Sequence, residues 1–323
     1  MSATFHVNYN RQILVPLIAV LQTVHVFILG AAILAFLIQR VPIPRPCNIN
    51  FSKFYIYDRA MSSYSSAFAI YDGTTSQIQS NIKIATPIQI MSCTKSFASL
   101  AIGILYDMGA VRLSDRLSKW IPNIQDSRIT IKHVLTHTSG ISAEWNSGRK
   151  HDSAPNVYDY ILDLKMTHIP GTKFIYNNNA VELVGLLVSV LIGTNLRDFL
   201  YKHLFKPLGI RKPNWYGDKS GNSYVAWGLC LNYVDMIKVG RLLLDEGRNI
   251  ISAKYVHKME SLSLLVWKHP LGYYFEGYMG NLLLIMPKHR RIIVRLVKTP
   301  SRYSNDIQYA QLKKILRQPL SAS

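Results

Sequence analysis

The sequence feature that most limits the possible folds is an apolar helical pattern between Phe97 and Met108. Its apolar side chains recur with the i, i+3, i+4 and i+7 spacing of one helix face, and Gly109 ends the pattern. The pattern predicts a helix that packs into a protein core. Ser92 and Lys95 stand three residues apart where this helix begins, so their side chains lie on one helix face. A lysine beside a serine hydroxyl can activate that hydroxyl as a nucleophile.

The Ser-x-x-Lys motif by itself is a weak signal, because the chain contains it at Ser80, at Ser92 and at Ser147. Only Ser92 opens a helix with a core pattern, whereas the other two serines lie in polar stretches. At a helix start, the free N–H groups and the positive end of the helix dipole favour a developing alkoxide. A helix cap beside a solvated lysine is the alternative interpretation, and the downstream motifs favour the nucleophile.

The amino-terminal part of the chain has no Asp, Glu, Lys or Arg between Ile13 and Ile38. A helix of this length can cross the ~30 Å hydrocarbon core of a bilayer. We expect a tail at residues 1–11, a single-pass membrane anchor at 12–39, a Pro-containing linker at 40–57 and a folded domain at 58–323. A cleaved signal peptide is the alternative, but the apolar run exceeds the usual ~7–15 residues. The identity of the membrane and the orientation of the span are left open.

The charge balance is strongly basic, with 37 Lys and Arg residues against 18 Asp and Glu residues and a formal net charge of +19. For a tethered protein, attraction to anionic lipid headgroups explains such a charge at about 1 kcal/mol per basic residue near the surface. Solvated lysines without a partner are the alternative. A nucleic-acid partner is not favoured, since no zinc-finger or recognition-helix pattern accompanies the charge. The three cysteines lack disulfide or metal-ligand spacing. The serine mechanism described below implies no metal or organic cofactor.

A second block begins at residues 170–172 and carries Tyr176 and Asn178 in a turn-forming run ahead of another apolar helix pattern. Between the two blocks, a short helix pattern runs into the turn at residues 137–140. This succession resembles the serine β-lactamase and penicillin-binding-protein superfamily, in the branch of class C β-lactamases and related esterases. That group carries the Ser-x-x-Lys nucleophile, and it has a Tyr-x-Asn where Tyr176 and Asn178 stand. The later run 208–244 is similar to the aminohexanoate-dimer hydrolase branch.

The resemblance implies an α/β (α+β) fold of the β-lactamase and transpeptidase type. The sequence pattern agrees, because strand patterns occur at both ends of the domain and helix patterns fill its middle. We expect one antiparallel sheet made from both chain ends, flanked by helices, with a helical lobe beside it and Ser92 in the cleft between them. Residues 66–71 predict a strand, and Asp72-Gly73 predicts a hairpin turn that returns the chain as a second strand.

The third motif departs from the form that the family usually has. Family members usually carry Lys or His, a small residue and then Gly on the strand beside the site. If Gly280 is the motif glycine, Tyr278 replaces the cation, and the backbone N–H of Asn281 joins that of Ser92 in an oxyanion hole. The aminohexanoate-dimer branch is itself variable here, so the change does not exclude activity. It does disfavour a β-lactam substrate, whose carboxylate commonly binds that cation.

The predicted function is hydrolysis of an ester or amide bond, in a small molecule or a peptide, through a serine ester on Ser92. Lys95 and Tyr176 would form the proton relay, and a cation beside the phenol is expected to lower the pKa of Tyr176. Asn178 would orient Lys95 or the amide of the substrate. The alternative is an inactive relative with a membrane-associated binding or structural role, and the oligomeric state is left open. Four tryptophans could line an acyl pocket or pack in the core: Trp145, Trp215, Trp227 and Trp267.

Overall fold

The computed structural model describes residues 66–80, 83, 85–143 and 148–298. The predicted membrane anchor and linker lie outside these residues, as does Trp145. In the described chain, no single helix is both long and apolar enough to cross a bilayer. One bent pair, Glu182–Ile192 with Leu196–Phe205, meets the criteria of length and composition with a bend of 74°.

The strands of the described chain form one large sheet and one short pair. In chain order they are β1 (Ser66–Tyr71), β2 (Ser76–Ser80), β3 (Ile88–Gln89), β4 (Cys230–Leu231), β5 (Trp267–His269), β6 (Gly272–Gly277), β7 (Asn281–Met286) and β8 (Arg291–Val297). Strands β3 and β4 pair with each other, and the other six form an antiparallel sheet in the order β2-β1-β8-β7-β6-β5. The prediction of an antiparallel sheet made from both ends of the domain is therefore confirmed.

The helices lie between the two groups of sheet strands in the sequence. They are α1 (Thr94–Asp107), α2 (Ile131–Leu135), α3 (Gly148–Ser153), α4 (Val157–Leu162), α5 (Glu182–Ile192), α6 (Leu196–Leu200), α7 (Tyr233–Leu244) and α8 (Ala253–Ser261). A 3₁₀ turn, Met91–Cys93, leads into α1, and a π-helical turn, Tyr201–Phe205, extends α6.

Helix α1 is the centre of the core. Its residues from Thr94 to Leu105 are all buried. The ring of Phe97 meets that of Phe275 on β6 edge-on, with centroids 5.9 Å apart, and lies 5.8 Å from that of Phe205. Helix α1 thus packs between the sheet and the helical lobe, which confirms the predicted core helix and fixes the place of its amino-terminal end.

Strands β7 and β8 are buried along their whole length. Helix α7 covers one face of the sheet, where a Cβ atom on Gly240 would lie 2.7 Å from the side chain of Ile292. A second apolar cluster, which includes Ile70, Leu284 and Ile293, lies on the other face. Because both faces are covered, β7 is apolar from Leu282 to Met286 and β8 is apolar from Ile292 to Val297 except at Arg295, without the alternation of a half-buried strand.

The predicted turn at Asp72-Gly73 connects β1 to β2. The carboxylate of Asp72 accepts the backbone N–H groups of Thr74 and Thr75, at 3.0 and 2.8 Å. These hydrogen bonds lower the pKa of Asp72 to about 2. Gly73 has a φ of +100°, which a residue with a Cβ atom rarely adopts. The local sequence therefore determines this hairpin.

The turn between β6 and β7 depends on a buried arginine. Arg295 on β8 is 2% exposed, and its Nη1 donates to the carbonyls of Met279 and Gly280 at 2.9 Å each. We expect Arg295→Met to lower the free energy of unfolding by about 2–4 kcal/mol, because it leaves these two carbonyls without a donor. Urea unfolding of the full-length chain measures the change. The control Lys298→Met, at an exposed position after β8, is expected to change it by less than about 0.5 kcal/mol. Equal effects of the two substitutions would contradict this role of Arg295.

Candidate active site

A cleft of about 400 Å³ lies between the start of α1 and the edge of the main sheet. Small-molecule sites commonly have this size. Ser92, Lys95 and Tyr176 all line the cleft, so the structure brings the three predicted catalytic side chains together. The other lining residues are Ser96, Thr136, His137, Phe174, Leu262, Ser263, Leu265, Val266, Trp267, Lys268 and Glu276.

Ser92 lies in the 3₁₀ turn directly before α1. Its neighbour Met91 has a φ of +53°, a left-handed conformation that is uncommon for a residue other than glycine. The hydroxyl of Thr94 donates to the carbonyl of Met91 at 2.6 Å and accepts the N–H of Leu229 at 3.3 Å. These bonds hold the strained turn in place, and the turn positions the Ser92 hydroxyl.

Lys95 is 3% exposed, and its Nζ lies 2.8 Å from Oγ of Ser92. The same nitrogen donates to the carbonyl of Ala226 at 2.6 Å. Burial lowers the pKa of Lys95 to about 7, although the charge of Glu182 favours the ammonium form. At neutral pH a large fraction of Lys95 is therefore a neutral amine, which can accept the proton of the Ser92 hydroxyl.

A buried carboxylate supports the Lys95 environment from behind. Glu182 has no exposed surface, and it accepts the N–H groups of Val225 and Ala226 at 2.8 and 2.9 Å. The carbonyl of the same residue, Ala226, accepts from Lys95, so Glu182 acts on Lys95 by fixing the backbone of Ala226 as well as through its charge. Glu182 belongs to none of the predicted motifs. The signal that could have found it is a single acid at the start of the apolar helix pattern that follows Tyr176.

His151 lies on the other side of Glu182 and completes a buried charged group. Its Nε2 is 3.1 Å from the carboxylate of Glu182, and its Nδ1 is 2.9 Å from that of Asp152. Burial opposes the charged form, but the hydrogen bonds and charges of the two carboxylates outweigh burial and raise the pKa of His151. The hydrogen bond from His151 satisfies one oxygen of the buried Glu182 carboxylate and so offsets part of the cost of its burial.

Tyr176 shares a hydrogen bond with the Ser92 hydroxyl, and its ring centroid is 5.0 Å from Nζ of Lys95. Burial raises the pKa of Tyr176 to about 12, although the hydrogen bond with Ser92 favours the phenolate. The prediction that a neighbouring cation lowers this pKa is therefore wrong, because burial and the charge of Glu276 oppose the phenolate. Tyr176 is a proton donor at neutral pH, and Lys95 is the group that can act as a base.

His137 supports the ring of Tyr176. It is 6% exposed, and its ring centroid lies 4.7 Å from that of Tyr176. Burial and the charge of Lys95 lower the pKa of His137 to about 3, so the imidazole is neutral. Its Nδ1 accepts the N–H of Asn177 at 3.2 Å, which fixes the orientation of the ring.

Asn178 does not join the predicted cluster, because its side chain is exposed and does not line the cleft. The neighbouring side chains are buried instead. Asn177 donates to the carbonyl of Ile141 at 2.8 Å and accepts the N–H of Asn179 at 2.8 Å. The Asn run therefore forms a hydrogen-bonded turn that holds Tyr176 in the cleft.

The glycine that lies against the Ser92 turn is Gly277, the last residue of β6. A Cβ atom on Gly277 would lie 2.3 Å from the carbonyl oxygen of Ile90 and 3.3 Å from the backbone nitrogen of Cys93. Only glycine allows β6 to approach the turn so closely. The prediction that Gly280 is the motif glycine is therefore wrong, since sequence alone does not distinguish between two glycines three residues apart.

Gly280 and Asn281 instead build the turn between β6 and β7. Asn281 is fully buried, donates to the carbonyl of Tyr278 at 2.9 Å and accepts the N–H of Val297 at 2.9 Å. Tyr278 is 57% exposed. Tyr278, Gly280 and Asn281 are not among the residues that line the cleft. The structure therefore gives no support to Tyr278 as a replacement for the cation or to Asn281 as an oxyanion donor.

Two other residues of β6 precede the glycine at the Ser92 turn. Phe275, two positions before Gly277, takes the place where family members usually have a cation, and it packs against Phe97 in the core. Glu276 lines the cleft together with Ser92. Glu276 has no predicted function, because with Gly280 as the motif glycine it falls outside the motif.

Aromatic rings form one wall of the cleft. Trp267 stacks on Tyr176 and meets Phe174 edge-on, with centroids 6.2 Å apart in both pairs. Of the other predicted tryptophans, Trp215 is buried in the core and Trp227 stacks on a tyrosine outside the cleft. Trp267 is thus the tryptophan of the described chain that can contact a ligand in the cleft.

The sheet order and the cluster at Ser92 agree with the motif resemblance. A family model described as Beta-lactamase matches residues 70–315 of the chain. The chain belongs to the beta-lactamase family. This match confirms the superfamily inferred from the sequence motifs.

Two curated relatives match part of this beta-lactamase family protein. Protein flp of Staphylococcus aureus (strain MW2) is 32% identical over 136 residues, which cover 39% of this chain and 27% of that protein. Penicillin-binding protein 4* of Bacillus subtilis (strain 168) is 25% identical over 146 residues, which cover 42% of this chain and 32% of that protein. The matches span about a third of the length of these relatives.

Solved structures show the same fold. A proposed 6-aminohexanoate-dimer hydrolase from Bacillus anthracis has a TM-score of 0.68 at 17% identity, covering 80% of this chain and 81% of that chain. The penicillin binding protein from Bacillus halodurans has a TM-score of 0.66 at 18% identity, covering 80% of this chain and 99% of that chain. At these identities, the likeness establishes the fold of this beta-lactamase family protein and not its substrate.

The close approach of Gly277 to the Ser92 turn can be tested by substitution. We expect Gly277→Ala to slow the reaction of Ser92 with a fluorophosphonate by at least about tenfold, because the turn must shift and small misplacements of reacting groups are costly. The control is Gly209→Ala, whose Cβ atom meets nothing within 4 Å but strains the backbone at a φ of +62°, so it reproduces a loss of stability without a new contact at Ser92. Intact-protein mass spectrometry of the full-length chain measures both rates. Equal rates for the two folded variants would contradict a role of Gly277 in positioning Ser92.

Proposed function

We propose that this protein is a membrane-anchored serine hydrolase that cleaves an ester or amide bond through an acyl-enzyme on Ser92. The observation that carries the proposal is the 2.8 Å contact between Nζ of Lys95 and Oγ of Ser92. A second observation is that burial lowers the pKa of Lys95 to about 7. The two groups face a cleft of about 400 Å³, in which a substrate carbonyl can reach the serine.

In the acylation step, the neutral amine of Lys95 takes the proton from Ser92 as Oγ attacks the substrate carbonyl. The new C–O bond gives a tetrahedral oxyanion. The start of α1 favours this negative charge, and we assign the backbone N–H of Ser92 as one of its donors. The carbonyl of Ala226 holds the resulting ammonium in place at 2.6 Å.

Tyr176 supplies the proton that the leaving group needs. Its hydroxyl stays protonated at neutral pH, because burial raises its pKa to about 12. As the bond to the leaving group breaks, Tyr176 donates its proton and receives one from the ammonium of Lys95. The acyl-enzyme is then hydrolysed when water attacks the ester carbonyl and its proton passes by the same groups in reverse. Each cycle returns Lys95 to the neutral amine.

The geometry of the nucleophile defines the reaction type and accepts a broad class of substrates. We propose a small-molecule or peptide ester or amide, since the serine and its base act on any accessible acyl group. One structural relative is named as a hydrolase of the 6-aminohexanoate dimer, and we carry over from it only hydrolysis as the reaction class. The absence of a cation at Phe275 disfavours a β-lactam.

Membrane anchoring is part of the proposal and rests on the sequence alone. The uncharged run from Ile13 to Ile38 has the length of a single span. The net charge of +19 would hold the folded domain near anionic lipid headgroups. A substrate that is itself presented at a membrane surface is compatible with this arrangement.

The test of the proposed function is covalent labelling of the full-length chain by a fluorophosphonate. We expect one adduct, which maps to Ser92 and is absent in Ser92→Ala. Lys95→Ala is expected to slow labelling by at least about 100-fold, because it removes the general base. The matched control is Ser80→Ala, in another Ser-x-x-Lys motif of the chain, which is expected to label at the wild-type rate. A folded protein that forms no adduct would contradict the proposal and favour the inactive relative.

The pH dependence of labelling tests the role of the Lys95 amine. We expect the rate to rise with pH and to reach half its maximum near pH 7, because Lys95 must lose its proton to act as a base. The charge of Glu182 raises the pKa of Lys95, so Glu182→Gln is expected to move the half-maximum to lower pH. Glu246→Gln, at an exposed carboxylate, is the control and is expected to leave the half-maximum unchanged. A rate that is constant between about pH 6 and 9, or a shift to higher pH in Glu182→Gln, would contradict Lys95 as the base.

A further inference from the structure

The cleft contains an acid in a protein with 37 basic and 18 acidic residues. Glu276 is half-buried and lines the cleft with Ser92 and Tyr176. In the described chain, no hydrogen bond or ion pair engages its side chain. A carboxylate that faces a binding cleft without a cationic partner favours a cationic ligand and repels an anionic one.

Among the ionisable side chains that line the cleft, Glu276 is the acid. His137 is neutral, because its pKa is lowered to about 3, and Lys95 is partly neutral near pH 7. Tyr176 keeps its proton at neutral pH. Lys268 is the remaining charged residue that lines the cleft, and its side chain is exposed.

The pairing of β5 with β6 places Glu276 and Lys268 on opposite faces of the sheet, with Glu276 on the face of the aromatic wall. Trp267 on β5 lies opposite Tyr274 on β6. Directly opposed residues share a face of a sheet, and side chains two positions apart on one strand share it too. Glu276 is therefore on the face of Trp267, whereas Lys268 is on the other face. The same tryptophan contacts Tyr176 and Phe174.

Aromatic faces and a carboxylate together form a site for an ammonium group. Ring faces attract a cation through their quadrupole, and quaternary or primary ammonium groups are commonly held in this way. Phe174 lines the cleft and is 54% exposed, so its ring is accessible to a ligand there. Its exposed ring and that of Trp267 are both open to the cleft that contains Glu276.

We propose that the cleft takes substrates that carry an ammonium group close to the scissile carbonyl, held by Glu276 and by the rings of Phe174, Tyr176 and Trp267. The inference rests on the proposed hydrolase function and names its substrate class. It also gives a physical meaning to the changed third motif. Where the family usually has a cation that meets an anionic substrate, this chain has the buried Phe275 followed by the carboxylate of Glu276.

The test compares matched thioesters that differ in charge. Butyrylthiocholine carries a quaternary ammonium in its thiol part, S-(3,3-dimethylbutyl) thiobutyrate is its neutral isostere, and S-(2-carboxyethyl) thiobutyrate is anionic. A second series carries the ammonium, a methyl group or a carboxylate at the end of the acyl chain. Thiol release by the full-length protein gives kcat/KM for each compound. We expect the cationic member of at least one series to exceed its neutral isostere by at least about tenfold.

Variants locate this preference in the cleft. Glu276→Gln and Trp267→Leu are expected to lower the cationic-to-neutral ratio of kcat/KM by at least about fivefold, mainly through KM. The ratio is taken within each variant, so a general loss of activity cancels. Glu276→Asp, which keeps the charge, is expected to retain part of the preference. Lys268→Gln and Glu246→Gln are the controls and are expected not to lower the ratio.

The outcomes separate this inference from the hydrolase proposal. Equal kcat/KM values for cationic and neutral esters in both series, with Ser92 labelled normally, would overturn the ammonium site and leave the hydrolase intact. A preference for the anionic esters that disappears in Lys268→Gln would also overturn the ammonium site. It would mean that Lys268 determines which substrate charge the cleft prefers. A wild-type protein whose Ser92 does not react at all would overturn both proposals.

Discussion

The burial of one lysine amine at the start of a core helix is the constraint on which the rest of the site depends. Lys95 reaches Ser92 because both lie at the amino-terminal end of α1, and α1 is held between the sheet and the helical lobe by contacts such as those of Phe97. Removal from water costs the ammonium form more than the amine, so burial leaves part of Lys95 unprotonated near neutral pH and able to accept a proton. The packing of the core thus sets the chemistry of the nucleophile.

The ammonium form of a buried lysine needs a stabilising negative charge, and Glu182 supplies it on the side of Lys95 away from the cleft. Glu182 accepts the N–H of Ala226, whose own carbonyl accepts from Lys95, and His151 forms a hydrogen bond with the carboxylate on its other side. The arrangement keeps the opposing effects close in size, since burial favours the amine and Glu182 favours the ammonium. The proposed mechanism requires such a balance, because full compensation would keep Lys95 charged and no compensation would keep it neutral.

The sequence predicts the parts of this site that depend on local pattern, and it fails where tertiary contacts decide. The helix after Ser92 has a periodicity that only a core helix requires, so the nucleophile and Lys95 follow from the residues themselves. The choice between Gly277 and Gly280 depends on which backbone meets Ile90, and no local pattern contains that contact. The pKa of Tyr176 likewise depends on burial, which the neighbouring sequence does not determine.

Activation of the serine and recognition of the substrate come from different parts of the fold. The Ser92 turn, Lys95 and Tyr176 are held by α1 and the segment before α5, whereas Glu276 and Trp267 belong to the edge strands of the sheet. A change on the edge strands can therefore alter the charge that the substrate meets while the nucleophile keeps its geometry. For this reason the loss of the usual cation in the third motif is no argument for an inactive protein. Under the proposed function, the same change fits a substrate of the opposite charge.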